Sequence, residues 1–316
     1  MESLSTRMRA ALSSAEESLE RRQLPYGEFP SYKFSTAALD GPGTLDSSPF
    51  VTTFVVYALA MTEAPAAPLM MKKGLQFLLS EQRVPGVWRY WTSRNGAPID
   101  PDLDDTACVS FLLRMLAPEL APDNRVLFSR FRTPEGLYKT WFRKPGARND
   151  VDSVVNANVL LYLGETEETR AASDWLCRII NEDTEAGTYW YYLEPLSLYY
   201  AVSRAYHHGA TGLERCREAV LRKTLARQQP DGSFGSALSS GLALCTLLNY
   251  GVKDTEAVTR GTAFLLRAQQ EDGSWAREAF YIGPEPPGPH QVWWGSEELT
   301  TAFCVEALAK GLRAGM

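Results

Sequence analysis

The chain has 316 residues, 45% of them hydrophobic and 22% charged, with a formal net charge of −6. That balance suits a globular protein with a large core, and the acidic excess leaves no basic face for a nucleic-acid backbone. With no signal-like start and no apolar run of about eighteen residues, a soluble protein is expected, with peripheral membrane contact at most.

Residues 1 to about 22 read as a first outer helix. Tyr26-Gly27-Glu28-Phe29 follows, an early copy of a recurring pattern: a Gln or similar residue ending a helix, then Gly, then an aromatic. A nearly charge-free helical run at 50–60 comes next, and then the charged amphipathic stretch 71–79 leading into Gln82-Arg83-Val84-Pro85-Gly86-Val87-Trp88. The alternation continues through an apolar run at 107–116, Glu135-Gly136-Leu137-Tyr138, an apolar run at 154–163, and Ala186-Gly187-Thr188-Tyr189-Trp190. After the apolar run 196–206 come the two clearest copies, Gln228-Gln229-Pro230-Asp231-Gly232-Ser233-Phe234 and Gln269-Gln270-Glu271-Asp272-Gly273-Ser274-Trp275. Between them lie the apolar run 237–250 and the amphipathic stretch 256–266, and the apolar run 299–308 ends the series. Gly27, Gly86, Gly136, Gly187, Gly232 and Gly273 recur at 41- to 59-residue intervals, the length of a helix pair.

A helix apolar on nearly all sides must be buried, and one with a charged face lies outside. Six such pairs predict an all-α fold, a single (α/α)6 barrel over residues 1–316. Its six inner helices would run parallel with their N-termini at one rim, and any strands would be short linker segments that form no sheet. Five cysteines (Cys108, Cys177, Cys216, Cys245, Cys304) lack Cys-x-x-Cys spacing, and four fall in helical patterns, which suits free thiols in a reducing cytoplasm.

The residues opening the inner helices are acidic: Asp46 and Ser48; Asp102, Asp104 and Asp105; Asp150 and Asp152; Glu194; Ser236; Glu297 and Glu298. For most of them helix capping suffices. In Asp102-Leu103-Asp104-Asp105-Thr106-Ala107, Asp102 and Asp105 fit the N-cap and the acid three residues on. Asp104 is surplus to capping, hence a candidate proton donor or metal ligand. Aromatics crowd the same rim, among them Trp88, Tyr90, Trp91, Trp141, Tyr192, Trp293 and Trp294, and an aromatic concavity suits an apolar substrate that develops positive charge. Trp91, Trp141, Asp152, Asn156, Tyr192, Trp293, Trp294 and Glu298 are the candidate substrate-binding residues. Asn156 and Asn158, on an otherwise apolar helix, either brace the Asp104 helix or face the cavity.

The Gln-x-x-Asp-Gly-Ser-Trp/Phe copies resemble the repeats of squalene-hopene and oxidosqualene cyclases and of protein prenyltransferase β subunits. Asp102-Leu103-Asp104-Asp105-Thr106-Ala107 resembles the DxDDTA signature of class II terpene cyclases. The resemblance implies that Asp104 is the general acid that protonates an alkene or epoxide of a linear isoprenoid, with Asp102 and Asp105 orienting and tuning it. The base ending such a cascade stays open between Tyr192, Asn156 and a bound water. No cofactor is implied, except Mg²⁺ if the substrate carries a diphosphate, for which Arg89, Arg94, Arg143, Lys144 and Arg148 lie in the rim linkers.

Class II cyclases close their cavity between two barrels, so this single barrel must enclose the substrate itself, form a homodimer over its mouth, or dock on a partner protein. The zinc of a prenyltransferase is not expected, because His207 and His208 close an inner helix, His290 lies in a Pro/Gly-rich loop, and Cys304 is deep in the last helix. Two further readings remain: an (α/α)6 glycosidase pairing Asp104 with Asp152 or Glu298, and a non-catalytic isoprenoid-binding or interaction module.

Overall fold

A computed structural model describes residues 2–96, 99–253, 255–283 and 291–316. His290 therefore lies outside the described residues.

Six helices form a closed inner ring: α2 (Pro49–Leu59), α4 (Leu103–Leu116), α6 (Ser153–Leu163), α8 (Pro195–His207), α10 (Ala237–Asn249) and α12 (Glu297–Arg313). Each packs on the next, and α12 returns to α2. Every residue of α2 and of α6 is buried, as a charge-free helix requires. Outside them lie α1 (Leu4–Arg22), α3 (Ala67–Ser80), α5 (Arg125–Ser129), α7 (Arg170–Asn181), α9 (Arg217–Leu225) and α11 (Glu256–Ala268). These bury one stripe only; in α11 it is Val258, Gly261, Thr262 and Leu265, a spacing of three and four residues. The architecture is thus the (α/α)6 barrel, and one outer member, α5, is shortened to five residues after a 3-10 turn at Pro118–Leu120.

The repeated turns join one pair to the next. The Gln269 amide donates both to Gly273 O within its own turn and to Ala11 O of α1, each at 2.8 Å, and Gln228 and Gln23 do the same toward α11 and α3. Glycine is obligatory because the backbone takes a positive φ and runs against the neighbouring helix: a Cβ on Gly273 would stand 2.1 Å from Ser14 O. The aromatic ending each motif closes the turn from inside, with Trp275 Nε1 donating to Leu265 O (2.9 Å) and Trp88 Nε1 to Leu78 O (2.7 Å).

One expectation fails. The linkers before α2 and α12 pair into a four-stranded antiparallel sheet in the order β2 (Thr44–Leu45), β1 (Tyr32–Phe34), β4 (Val292–Gly295), β3 (Tyr281–Gly283). Tyr32 faces Gly295 and Tyr281 faces Trp294. Ring closure brings these distant segments together, and the sheet satisfies backbone groups that would otherwise be stranded beside the barrel mouth. Among the described residues no helix is long and apolar enough to cross a membrane, and all five cysteines are buried free thiols.

Candidate active site

The inner helices present their N-termini at one rim, each entered through an extended residue. Ser48, Asp102, Asp152, Ser236 and Ser296 cap them by accepting backbone N–H bonds. Glu194 precedes α8 without a side-chain cap and accepts instead from the Ser239 hydroxyl (3.0 Å). The caps of α12 are correspondingly Ser296 rather than Glu297 or Glu298.

Under this rim lies a cavity of about 540 Å³. Phe50, Tyr90, Trp91, Trp141, Tyr192, Tyr281 and Trp294 line it, with Asp102, Asp104 and Asp105 in one wall. Asp46 fixes two of the indoles, its Oδ2 accepting from Trp294 Nε1 (2.7 Å) and Trp91 Nε1 (3.0 Å). Tyr281 stacks on Trp294 at an interplanar angle of 9°. Trp141 is held by Tyr191, whose hydroxyl accepts from Trp141 Nε1 (2.9 Å) and donates to Asp150 Oδ2 (2.6 Å).

Asp102 is the N-cap of α4, and its Oδ1 accepts from Asp105 N at 2.7 Å. Its Oδ2 and Asp105 Oδ1 are buried, and hydrogen bonding between the two carboxyls opposes the rise of Asp102 and adds to that of Asp105. Asp104, in the first turn of α4, caps none of its helix's backbone N–H groups. Its Oδ1 accepts from Asn158 Nδ2 (2.8 Å) and its Oδ2 from the Tyr192 hydroxyl (2.5 Å), so two other elements hold it at the cavity wall. Each carboxyl oxygen keeps a second lone-pair direction, where a proton can sit facing the cavity.

Burial raises all three acids. Asp102 is pushed up to about 7 by enclosure and then by the charge of Asp104. Asp105 stands well above the carboxylate range through enclosure, then through Asp102 and Asp104. Asp104 is raised by enclosure, while the Tyr192 and Asn158 hydrogen bonds oppose the shift. Burial thus shifts all three adjoining carboxyls toward the protonated form, and Asp104, the one on the cavity, is placed to deliver a proton to a bound molecule.

The sequence-derived candidates separate accordingly. Trp91, Trp141, Tyr192 and Trp294 lie on the cavity with the three aspartates. Asp152 is instead an N-cap, accepting from Val154, Val155 and Tyr191 N–H groups, and it is raised to about 7 by burial. Asn156 is occupied by backbone, pairing with Tyr138 N and O and with Asp152 O. Trp293 falls on the opposite face of β4 from Trp294, since side chains alternate along a strand. Glu298 lies outside the cavity lining, 3.7 Å from Arg22 at the end of α1.

Phe50 and Tyr281 are lining residues that the sequence did not point to, whereas Asn158, singled out with Asn156 as a brace for the Asp104 helix or a cavity residue, bonds Asp104 itself. Asn158 stands two residues from Asn156, a rotation of about 200° on a helix, so the two amides face opposite ways. Of the rim cations, Arg143 and Arg148 border the cavity, as does Lys33 from β1, with Arg143 paired to Asp100 at 2.8 Å and Lys33 3.7 Å from Asp46; Arg94 lies off this cavity, paired with Glu81 at 2.8 Å. His207 and His208 end α8, at the far end from the rim, where His208 Nε2 meets the Tyr57 hydroxyl.

No protein-family model and no curated protein sequence matches the chain. Solved structures do. The type II terpene cyclase MstE from Scytonema is 19% identical with a TM-score of 0.76, covering 98% of this chain and 99% of its own. That enzyme has been solved alone, with geranylgeranyl dihydroxybenzoate as substrate, and with merosterolic acid A as product. The ent-copalyl diphosphate synthase from Streptomyces platensis matches at TM-score 0.64 and 20% identity, over 83% of this chain and 50% of that one. The GH76 α-mannanase BT2949 from Bacteroides thetaiotaomicron matches at 0.59 and 9% identity, over 98% and 95%. At these identities the likeness is one of fold.

Proposed function

We propose that the protein is a class II-type terpene cyclase that starts ring closure of a linear isoprenoid by protonating it from Asp104. One observation carries the reading: a carboxyl with no part in capping its own helix is held by Tyr192 and Asn158 against an aromatic cavity, with two further raised carboxyls behind it. The proton passes from Asp104 to a terminal alkene carbon or epoxide oxygen, leaving the carboxylate and a cation. Internal alkenes then capture that cation in turn, and loss of a proton or addition of water ends the cascade. Exclusion of water keeps the carboxyl protonated and removes competing bases, and the aromatic lining of Phe50, Trp141, Tyr281 and Trp294 favours the migrating positive charge. The cavity volume lies within the range of small-molecule sites.

The match to MstE over nearly the whole of both chains supports a substrate cavity held within one barrel, with the β-sheet as part of its cover. Asn156 is spent on backbone, which leaves Tyr192 or a water as the terminating base. A substrate diphosphate would bring Mg²⁺ with it and would meet Lys33 and Arg143 at the mouth.

A glycosidase reading loses both partners expected for Asp104, because Asp152 is committed to capping and Glu298 is off the cavity, while the remaining lining acid, Asp150, accepts from the Tyr191 and Thr140 hydroxyls. The test is incubation with farnesyl diphosphate, geranylgeranyl diphosphate and geranylgeranyl dihydroxybenzoate, with and without Mg²⁺, followed by product analysis. Cyclised product from wild type and none from Asp104→Asn is the expected outcome. Equal product from both sinks the mechanism, and a thermal shift with lipid but no product indicates a binding module.

A further inference from the structure

Arg204, in the last turn of α8, would ordinarily be an exposed cation complementing the helix dipole. Instead it is fully buried, and none of Nε, Nη1 and Nη2 has a hydrogen-bond partner among the described residues. Four rings cage it: Tyr57 at 4.2 Å from its guanidinium carbon to the ring centroid, Phe54 at 5.1, Phe111 at 5.5 and Tyr200 at 5.9 Å. Ring faces attract a cation but cannot neutralise it, and a buried charge without a counter-charge is expensive.

The groups around it do not supply that counter-charge. From α2 and α8 come the Tyr57 and Tyr200 hydroxyls, both raised by burial and therefore neutral. Cys108 on α4 and Cys245 on α10 are likewise thiols pushed up by burial. His208 is lowered to about 3 by burial and by Arg204, so it is uncharged too. Glu306 on α12 favours the Arg204 charge, but it makes its bonds to Lys310 (2.6 Å) and the Tyr200 hydroxyl (2.8 Å), and its single negative charge is shared with Lys310. Arg204, Lys310 and Glu306 together carry a net charge of +1.

Phe111, which touches the guanidinium, lies seven residues after Asp104 on α4. That is two turns, about 10 Å of rise, on the same helix face. Asp104 is thus the acid above the cage, and its ionisation balances the charge. The other groups near it are Asp102, Asp105 and Cys108 on α4, Asp152 on α6 and Tyr192 before α8.

We infer that Arg204 is the stored counter-charge for the Asp104 carboxylate left by proton donation, a positioning residue that acts through Asp104 and not on substrate. The inference rests on the cyclase reading. Burial raises Asp104 as it raises Asp102 and Asp105, but the Tyr192 and Asn158 hydrogen bonds and then the charge of Arg204 oppose that rise, whereas Arg204 does not figure for Asp102 or Asp105. Such a charge makes Asp104 a stronger acid while burial keeps it protonated.

Arg204→Met keeps an apolar filler among the rings and removes the charge; Arg204→Lys keeps the charge. The first readout is the Asp104 carboxyl titration by ¹³C NMR, assigned by the signal lost in Asp104→Asn. The pKa is expected to rise by about one unit or more in Arg204→Met and to stay near wild type in Arg204→Lys. The second is the pH–rate profile with geranylgeranyl diphosphate or geranylgeranyl dihydroxybenzoate, whichever wild type turns over. The plateau rate should fall roughly tenfold in Arg204→Met while the alkaline limb moves up, a pairing that mere loosening of the fold does not produce. An Asp104 pKa unchanged by Arg204→Met overturns the inference; should that variant not fold, Arg204→Gln provides the same comparison. If wild type cyclises nothing, the cyclase reading fails, and the titration alone still decides whether Arg204 governs Asp104.

Discussion

Both oxygens of Asp104 are held by residues of other elements, so its orientation is set by the barrel rather than by α4. This makes the carboxyl separable from the fold. Asp104→Asn is expected to abolish cyclisation while melting no lower than wild type, since the amide fills the same space and relieves the charge that raises Asp102. Product analysis beside thermal denaturation checks both halves. Tyr192→Phe removes the hydroxyl that donates to Oδ2 and lowers the pKa of Asp104. A hydrogen bond to a charged group contributes about 1.5–3 kcal/mol, so the rate should drop roughly 10- to 100-fold. The donor must be protonated, so activity is lost as pH rises through the Asp104 pKa. With the hydroxyl gone that loss should occur at higher pH, and a pH–rate profile displaced downward in pH contradicts the assignment.

At the scale of elements, the barrel depends on turns that press one helix pair onto the next. Gly273 combines a φ of +86° with a backbone oxygen 2.1 Å from any Cβ, whereas Gly251 has a φ of +76° and open space. Gly251→Ala should therefore cost only the backbone strain, about 1 kcal/mol, and Gly273→Ala should cost about 2 kcal/mol more because α1 must move. Urea denaturation of the two variants checks the order. Those turns and the helices between them were legible because charge periodicity distinguishes an inner from an outer helix within a dozen residues. The sheet was not legible: its strands are two to four residues long, and β1 pairs with β4 across some 260 positions. What rests on the sheet was hidden with it, which is why Tyr281 was overlooked and Trp293 was placed on the cavity. Asp104 was legible because a third acid at one helix start has no capping task. Asn158 was visible as an oddity, but only the phase of α6 against α4 distinguishes it from Asn156.

Across the whole molecule, closing a ring of apolar helices puts ionisable groups where water cannot reach them, and stability takes its pH dependence from that. Glu298, buried in the first turn of α12, is raised from 4.5 to about 7 because burial outweighs Arg22 at 3.7 Å. Asp102 and Asp152 are raised to about 7 in the same way. A carboxyl whose folded pKa exceeds its unfolded value contributes stability that is fully present below the unfolded pKa and is lost as pH rises through the folded one. His207 and His208 act in the opposite sense: their folded pKa values are lowered, so the stability they contribute is complete above about 6.5 and is lost in acid. The two effects oppose each other below 6.5, and above it only the carboxyl loss remains, so the melting temperature should fall between pH 6.5 and 8. Glu298→Gln isolates one contributor away from the cavity. Arg22 keeps Asp272 at 2.7 Å, so the substitution strands no cation. A rise from 4.5 to about 7 corresponds to roughly 3 kcal/mol, so the variant should exceed wild type by on the order of 2–3 kcal/mol at pH 8 and lose the advantage near pH 4. Denaturant melts at both pH values decide it: an advantage equal at pH 4 and pH 8 would assign the effect to packing and not to the buried charge.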